Sequence, residues 1–270
     1  MSDQAAPASD PGLDRAADPA PRTLSLLDVP VVDLTMAQAL ADLDRLLSGP
    51  PGASHPIFFV NAHTLNLAWE DAGYRAVLRS AHRVFGDGTG VRWAARILHG
   101  LRLRDNVNGT DLVPALFAAL RDRGFRYYLL GASAEAIERA AAHAREAFPG
   151  WQLAGYHHGY LDDESSLPVI DAINAAQPHL LLVGMGNPKQ ERWLAQHRDR
   201  LDVRVCMGTG GLFDYWAGDL DRAPAWVRRL GAEWVHLLLR QPRKLRRYLL
   251  GNPLFLWRLV RVRWLGARPS

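Results

Sequence analysis

The sequence predicts an α/β protein: a doubly wound, mostly parallel Rossmann-like sheet with helices on both faces, followed by a basic helical C-terminal appendage. Three observations lead there. From Leu24 onward, short apolar runs alternate with longer segments of helical period, the arrangement of parallel strands joined by crossover helices. Several of those runs end directly in Gly-rich or polar loops. Residues 225–270 carry eleven Arg or Lys against one acid, Glu233, while the rest of the chain has a net charge of −6.

Taken in order, residues 1–22 are rich in Ala, Pro, Asp and Ser and have little to bury, so a disordered leader is expected. The α/β domain is placed over 23–224, with strands at 57–60, 83–85, 127–130, 151–154, 180–183 and 203–207. Helices are expected after Thr35, after Thr110, near Ala134 and near Lys189, each preceded by residues able to cap or turn the chain. In the segment 134–148, Ile137, Ala140, Ala141 and Ala144 share one face, as in a helix lying on a sheet. A further helix is expected from Val91. Asp162-Asp163-Glu164 suit the positive start of one running through 167–176.

Composition narrows the class. A chain of 270 residues with 48% hydrophobic content can fill a sizeable core, which excludes an intrinsically disordered protein. The single cysteine, Cys206, excludes a disulfide framework and a multi-thiolate metal site, and suits a reducing compartment. No run of about 18 uncharged apolar residues is present, and the N-terminus lacks a secretory signal, so a cytoplasmic location is expected.

Ligands of open parallel sheets bind at the carboxyl ends of strands. The loops Asn61-Ala62-His63, Gly86-Asp87-Gly88, Gly131-Ala132-Ser133 and Gly184-Met185-Gly186-Asn187 are therefore expected to line one crevice. Asp87, between glycines at a strand tip, can accept a proton from a substrate hydroxyl; alternatively it caps the next helix. In the segment 183–191 a buried strand opens through Gly184 and Gly186 into a helix start carrying Lys189, Gln190 and Glu191, which suits a phosphate or diphosphate. Neither the dinucleotide fingerprint nor a P-loop is met there. Gly210, Gly211 and Asp214 follow another strand and let a ligand come close, while Gly131, Ala132 and Ser133 could cup a sugar or form a plain turn. Asp219-Leu220-Asp221 has the spelling of a metal-binding pair but reads as a solvated turn, and His157-His158 is an isolated pair. No metal and no cofactor are expected.

In residues 225–270, Trp226, Trp234, Tyr248, Phe255, Trp257 and Trp264 interleave with the bases, and leucines add apolar area. Basic amphipathic helices of this kind lie in the membrane interface. Nucleic acid would use the same aromatics but gains little from leucine, so an anionic membrane surface is favoured as partner over nucleic acid. The alternative is that the Trp and Leu residues pack on the body of the protein.

With these segments in view, the sequence resembles the WecG/TagA/CpsF family of bacterial glycosyltransferases. The resemblance covers about 24–250 and rests on F-G-D-G-T-G-V-R-W-A, N-G-T-D-L, Y-L-L-G-A, V-G-M-G-N-P-K-Q-E, G-T-G-G-L-F-D-Y-W-A-G and R-A-P-A-W-V-R-R-L-G-A-E-W, in that order. It implies an inverting, metal-independent transfer of a sugar, N-acetylmannosamine-type or hexose, from a UDP-sugar donor. The implied acceptor is a hydroxyl of a polyprenyl-diphosphate-linked saccharide at the inner face of the membrane, in surface polysaccharide or teichoic-acid-type assembly. It implies Asp87 as general base and Gln190 as a donor contact. The family's Thr-x-Asn falls on Asn61-Ala62-His63, where His63 introduces a group that titrates near neutrality. Arginines of the appendage, here Arg240, Arg243, Arg246 and Arg247, are implied to meet the lipid diphosphate and membrane. A homo-oligomer is compatible with the sequence. The competing classes are a nucleotide-binding regulatory protein with a nucleic-acid-binding tail, and an NAD-type oxidoreductase, disfavoured because no G-x-G-x-x-G follows the first strand.

Overall fold

A computed structural model describes residues 21–52, 54–220 and 245–269. Residues 1–20 of the expected leader, Asp221, and Trp226, Trp234, Arg240 and Arg243 of the basic segment lie outside the described residues. Eight strands form one sheet: β1 (Arg22–Leu26), β2 (Val29–Asp33), β3 (His55–Val60), β4 (Arg83–Gly86), β5 (Arg126–Gly131), β6 (Gln152–His157), β7 (Leu180–Gly184) and β8 (Val205–Gly208). Their order is β1-β2-β4-β3-β8-β7-β5-β6; β1 and β2 pair antiparallel and all other neighbours are parallel. From β3 the chain moves outward to β4 on one side, and from β5 outward to β6 on the other. Connections that diverge from the middle of a sheet leave a crevice at its carboxyl edge.

The helices begin where side chains satisfy their first N–H groups. Thr35 and Gln38 form a capping box on α1 (Met36–Leu47), Asn61 and Thr64 on α2 (Ala62–Glu70), and Asp71 caps α3 (Ala72–Arg79). Next come α4 (Thr89–His99) and α5 (Gly109–Ala119). Ser133 caps α6 (Ala134–Ala147) and Asp162 caps α7 (Asp163–Ala176); α8 (Lys189–His197), the short α9 (Leu212–Trp216) and α10 (Leu245–Leu265) complete the set. Two starts differ from expectation. The helix placed after Thr110 begins at Gly109, because Asn108 Oδ1 takes the Asp111 N–H at 2.9 Å and so supplies the cap. That placed at Val91 begins at Thr89.

Strand side chains alternate between two apolar layers. Tyr128, Leu130, Leu181 and Val183 join α2, α3, α4, α7 and α8 in one layer. Tyr127, Leu129, Leu180 and Leu182 join α1, α5, α6 and α9 in the other. α10 belongs to the first layer: Phe255 and Leu259 are buried, and the helix packs on α2 and α4. The C-terminal helix is therefore docked on the domain.

The hairpin β1–β2 was not among the expected strands. Its turn residues, Leu27 and Asp28, sit at φ 50° and 67°, a conformation whose usual signature is Asn-Gly, absent here. Arg22, assigned to the leader, is the first residue of β1, where its Nε donates to Asp33 at 2.5 Å. β6 extends beyond the expected 151–154 through Gly155, Tyr156 and His157, at the edge of the sheet.

Candidate active site

The parallel order brings the carboxyl ends of β4, β3, β8, β7, β5 and β6 side by side, and hydrogen bonds between loops tie them together. Asp87 N–H donates to Val60 O at 2.8 Å, so the Asp87 loop lies against the end of β3 and the Asn61 loop. Thr209 N–H donates to Val183 O at 2.8 Å, and Ala132 N–H to Gly184 O at 3.0 Å. Gly90 and Ala62, at the starts of α4 and α2, touch so closely that a Cβ on Gly90 would come 2.9 Å from the Ala62 Cβ. Asp87 and Asn61 are held together by this packing.

Asp87 is half-buried, between Gly86 at the end of β4 and Gly88, the first cap residue of α4. Gly88 has φ 84°, where a side chain is strained although space is open. The side chain of Asn106, from the segment leading to α5, fixes this turn by accepting the Gly88 N–H at 2.7 Å. Asn61 spends its carbonyl on the helix, accepting from His63 N–H at 3.0 Å and Thr64 N–H at 3.2 Å. His63 stands in the first turn of α2.

The glycines divide into two kinds. A Cβ at Gly131 would lie 2.3 Å from Gly184 O, and one at Gly184 would lie 2.6 Å from Phe213, so these two are small because backbone and core press on them. Gly186 and Gly210, at φ 79° and 60°, face open space. Those two, and not the first pair, leave room for a ligand beside the backbone, although the Gly210 N–H is already given to a side chain. Ala132 and Ser133 lead into α6, with Ser133 accepting from Ala136 N–H at 3.2 Å, and Gly211 and Asp214 begin α9. The starts of α2, α4, α6 and α8 all lie at this edge, so their positive ends favour an anionic group.

Gln190, the expected donor contact, lies beneath the loops after β7 and β8. It is 1% exposed, and its amide bridges Glu191 Oε1 (2.8 Å) and Gly210 N–H (3.0 Å). Lys189 reaches across the crevice and donates to Gly159 O at 2.9 Å. Gly159 in turn donates to Ala132 O at 3.0 Å, so the loop after β6 forms a further wall. Asp219, of the Asp-x-Asp spelling, forms a bidentate pair with Arg139 at 2.6 and 2.7 Å. Among the described residues no three His, Cys, Asp or Glu side chains converge as metal ligands. A groove of about 560 Å³ between Ser25, Leu98, Arg263 and Arg268 lies by the far end of α4 and contains none of these residues.

The model of the glycosyl transferase WecG/TagA/CpsF family matches residues 24–269. The chain belongs to this family. A relative from Bacillus spizizenii, an N-acetylglucosaminyldiphosphoundecaprenol N-acetyl-beta-D-mannosaminyltransferase, is 31% identical over 202 residues, 75% of this chain and 77% of its own. One of the same description from Staphylococcus aureus is 28% identical over 242 residues, 89% of this chain and 93% of its own. Family membership reaches to the end of α10, beyond the segment in which the sequence resemblance was noted.

Within this family member, sequence reasoning missed Asn106 and Gly159, and named Glu191 without its burial. Asn106 precedes the N-G-T-D-L stretch and carries no signal of its own, since only the fold brings it to Gly88. Replacing Asn106 by Ala is expected to lower turnover by about 10-fold, the cost of one well-made hydrogen bond at the Asp87 loop. Steady-state kinetics beside a thermal melt check this; unchanged turnover in a folded variant would show that Gly88 keeps its geometry alone.

Proposed function

We propose that this chain transfers a sugar, N-acetylmannosamine-type or hexose, from a UDP-sugar to a hydroxyl of a polyprenyl-diphosphate-linked saccharide, with inversion at the anomeric carbon. The observation that carries the reading is the position of Asp87, a half-buried carboxylate on a fixed turn beside strand-tip loops and helix starts. The names of the two relatives supply the acceptor class.

In the proposed reaction the acceptor oxygen bonds to the anomeric carbon as its proton passes to Asp87. The bond from that carbon to the β-phosphate oxygen breaks on the opposite face, and its electron pair leaves with UDP. Charge gathering on the diphosphate meets the starts of α6 and α8 and the cation Lys189, with room for it beside Gly186 and Gly210. Arg246 and Arg247 open α10, where their backbone alone is described. Mass spectrometry of products from a panel of UDP-sugars with a synthetic prenyl-diphosphate acceptor tests the reading; no product from any donor would refute it.

An acceptor on a lipid requires the protein to reach the bilayer, and no helix among the described residues is long and apolar enough to cross one. α10 offers a second surface opposite its docked side. Leu250, Leu254, Trp257 and Trp264 follow one another at helical spacing and are exposed, Trp257 by 54% and Trp264 by 66%. Arg261 lies 4.6 Å over the Trp257 ring. Apolar rings with adjacent cations match an anionic membrane interface. The double replacement Trp257→Ser, Trp264→Ser is expected to weaken association with phosphatidylglycerol-containing vesicles by at least about 10-fold, since each ring returned to water costs over 1 kcal/mol. Cosedimentation equal to the parent protein would remove α10 from this role.

A further inference from the structure

Resting on the reading that the crevice holds a nucleotide-linked donor, we propose that Glu191 is a positioning residue that fastens the loops after β7 and β8 in the geometry that receives the donor diphosphate. Glu191 is completely buried in the first turn of α8. Its Oε1 accepts from Asn187 Nδ2 at 2.5 Å and from Gln190 Nε2 at 2.8 Å. Asn187 lies in the loop after β7, next to Gly186. Gln190 passes the connection on, its Oε1 accepting the Gly210 N–H at 3.0 Å in the loop after β8. One carboxyl oxygen thus anchors both loops at or next to the glycines that face open space.

Packing alone does not account for an acid here, because an apolar side chain would fill the site without the cost of burying a carboxyl. Burial pushes Glu191 up to about 7, against the pull of the Gln190 and Asn187 amides. The remaining oxygen, Oε2, and Tyr74 Oη of α3 are both buried without a hydrogen-bond partner, and the two side chains interact electrostatically. Tyr74 itself is held well above its ordinary range by burial, then by the Glu191 charge. The neighbouring cation Arg192 is paired with Asp71. Beneath α8, the titratable group of β8 is Cys206, a thiol pushed up to about 12 by burial, and that of β3 is His55 at the opposite end of the strand. Among the described residues the causes acting on Glu191 are burial and hydrogen bonds rather than a cation, the arginines of the packed elements (Arg75 of α3, Arg198 and Arg200 after α8) included, so its strength as an acceptor changes near neutral pH.

The test is UDP binding by the full chain, measured by calorimetry at pH 6 and pH 8, with donor KM and kcat beside it. Glu191→Ala is expected to raise the UDP Kd and donor KM by about 10- to 100-fold, the range for losing hydrogen bonds to a charged acceptor, while kcat at saturating donor changes by less than about 3-fold. Glu191→Gln keeps an acceptor oxygen and is expected to restore Kd to within about 3-fold at pH 6, and to lose the part of the parent protein's pH dependence that the carboxyl supplies. The titration of UDP itself is common to both proteins and cancels in the comparison. A folded Glu191→Ala that binds UDP as the parent does would overturn the proposal. Should that variant fail to fold, a Glu191→Gln pH profile identical to the parent's would do the same. A parent protein that does not bind UDP would overturn the donor reading itself, and this inference with it.

Discussion

Replacing Asp87 by Asn is expected to lower turnover by about 10²- to 10⁴-fold, the range for loss of a general base, while UDP affinity stays within a few-fold. The amide keeps the shape of the carboxylate but cannot accept the acceptor's proton, so the loss falls on kcat. The main-chain bond from Asp87 N–H to Val60 O and the Asn106 bond to Gly88 do not involve the altered atoms, so the turn is expected to survive. Nucleotide binding beside single-turnover kinetics separates the two effects. Equal turnover by the variant would remove Asp87 from the reaction, and equal loss of binding and turnover would make it a structural residue.

The second large effect is expected at Arg258. This side chain is buried against α2, where Nη1 donates to Asn66 O and Asn66 Oδ1, both at 2.9 Å, and Nη2 pairs with Glu70. Its guanidinium also lies 5.7 Å over the Trp69 ring. Asn66 in turn donates to Gly251 O at 2.8 Å, so one residue of α2 grips α10 at two points. Because Glu70 is 58% exposed, the charge pair itself adds little, and the buried hydrogen bonds carry most of the anchoring. Arg258→Ala is expected to cost about 2–4 kcal/mol, lowering Tm by about 5–15 °C and speeding proteolysis of the C-terminal residues. Activity should fall with it. The Phe255 ring lies 3.6 Å from the Cβ position of Gly90, at the contact that holds the Asp87 and Asn61 loops together. A variant with unchanged Tm and protease resistance would show that α10 is held by apolar contacts alone.

The parts of the fold that the sequence disclosed are those whose physics is local. Buried parallel strands such as β5 and β7 are nearly continuous apolar runs, and Ser133 and Asp162 cap helices by bonds to residues three positions on. The hairpin β1–β2 escaped because Leu27 and Asp28 adopt a turn that their residue types do not announce. The site followed the same division. Strand-tip loops were visible as Gly and Asp after apolar runs, but what each glycine does was not. Gly131 and Gly184 are small because their strand ends press together, which only the parallel pairing of β5 and β7 reveals. Gln190 and Glu191 stood in a motif whose polar character pointed to a ligand. Their burial, and the reach of Gln190 to Gly210, depend on β8 lying beside β7. In α10 the aromatic residues divide: Phe255 packs on the body, while Trp257 and Trp264 face outward.

A crystal of the protein soaked with UDP tests the central claim most directly. The diphosphate is expected beside Gly186 and Gly210, with its terminal phosphate directed toward the Asp87 loop. Nucleotide bound at any other edge of the sheet, or turned so that the terminal phosphate points away from Asp87, would contradict the account.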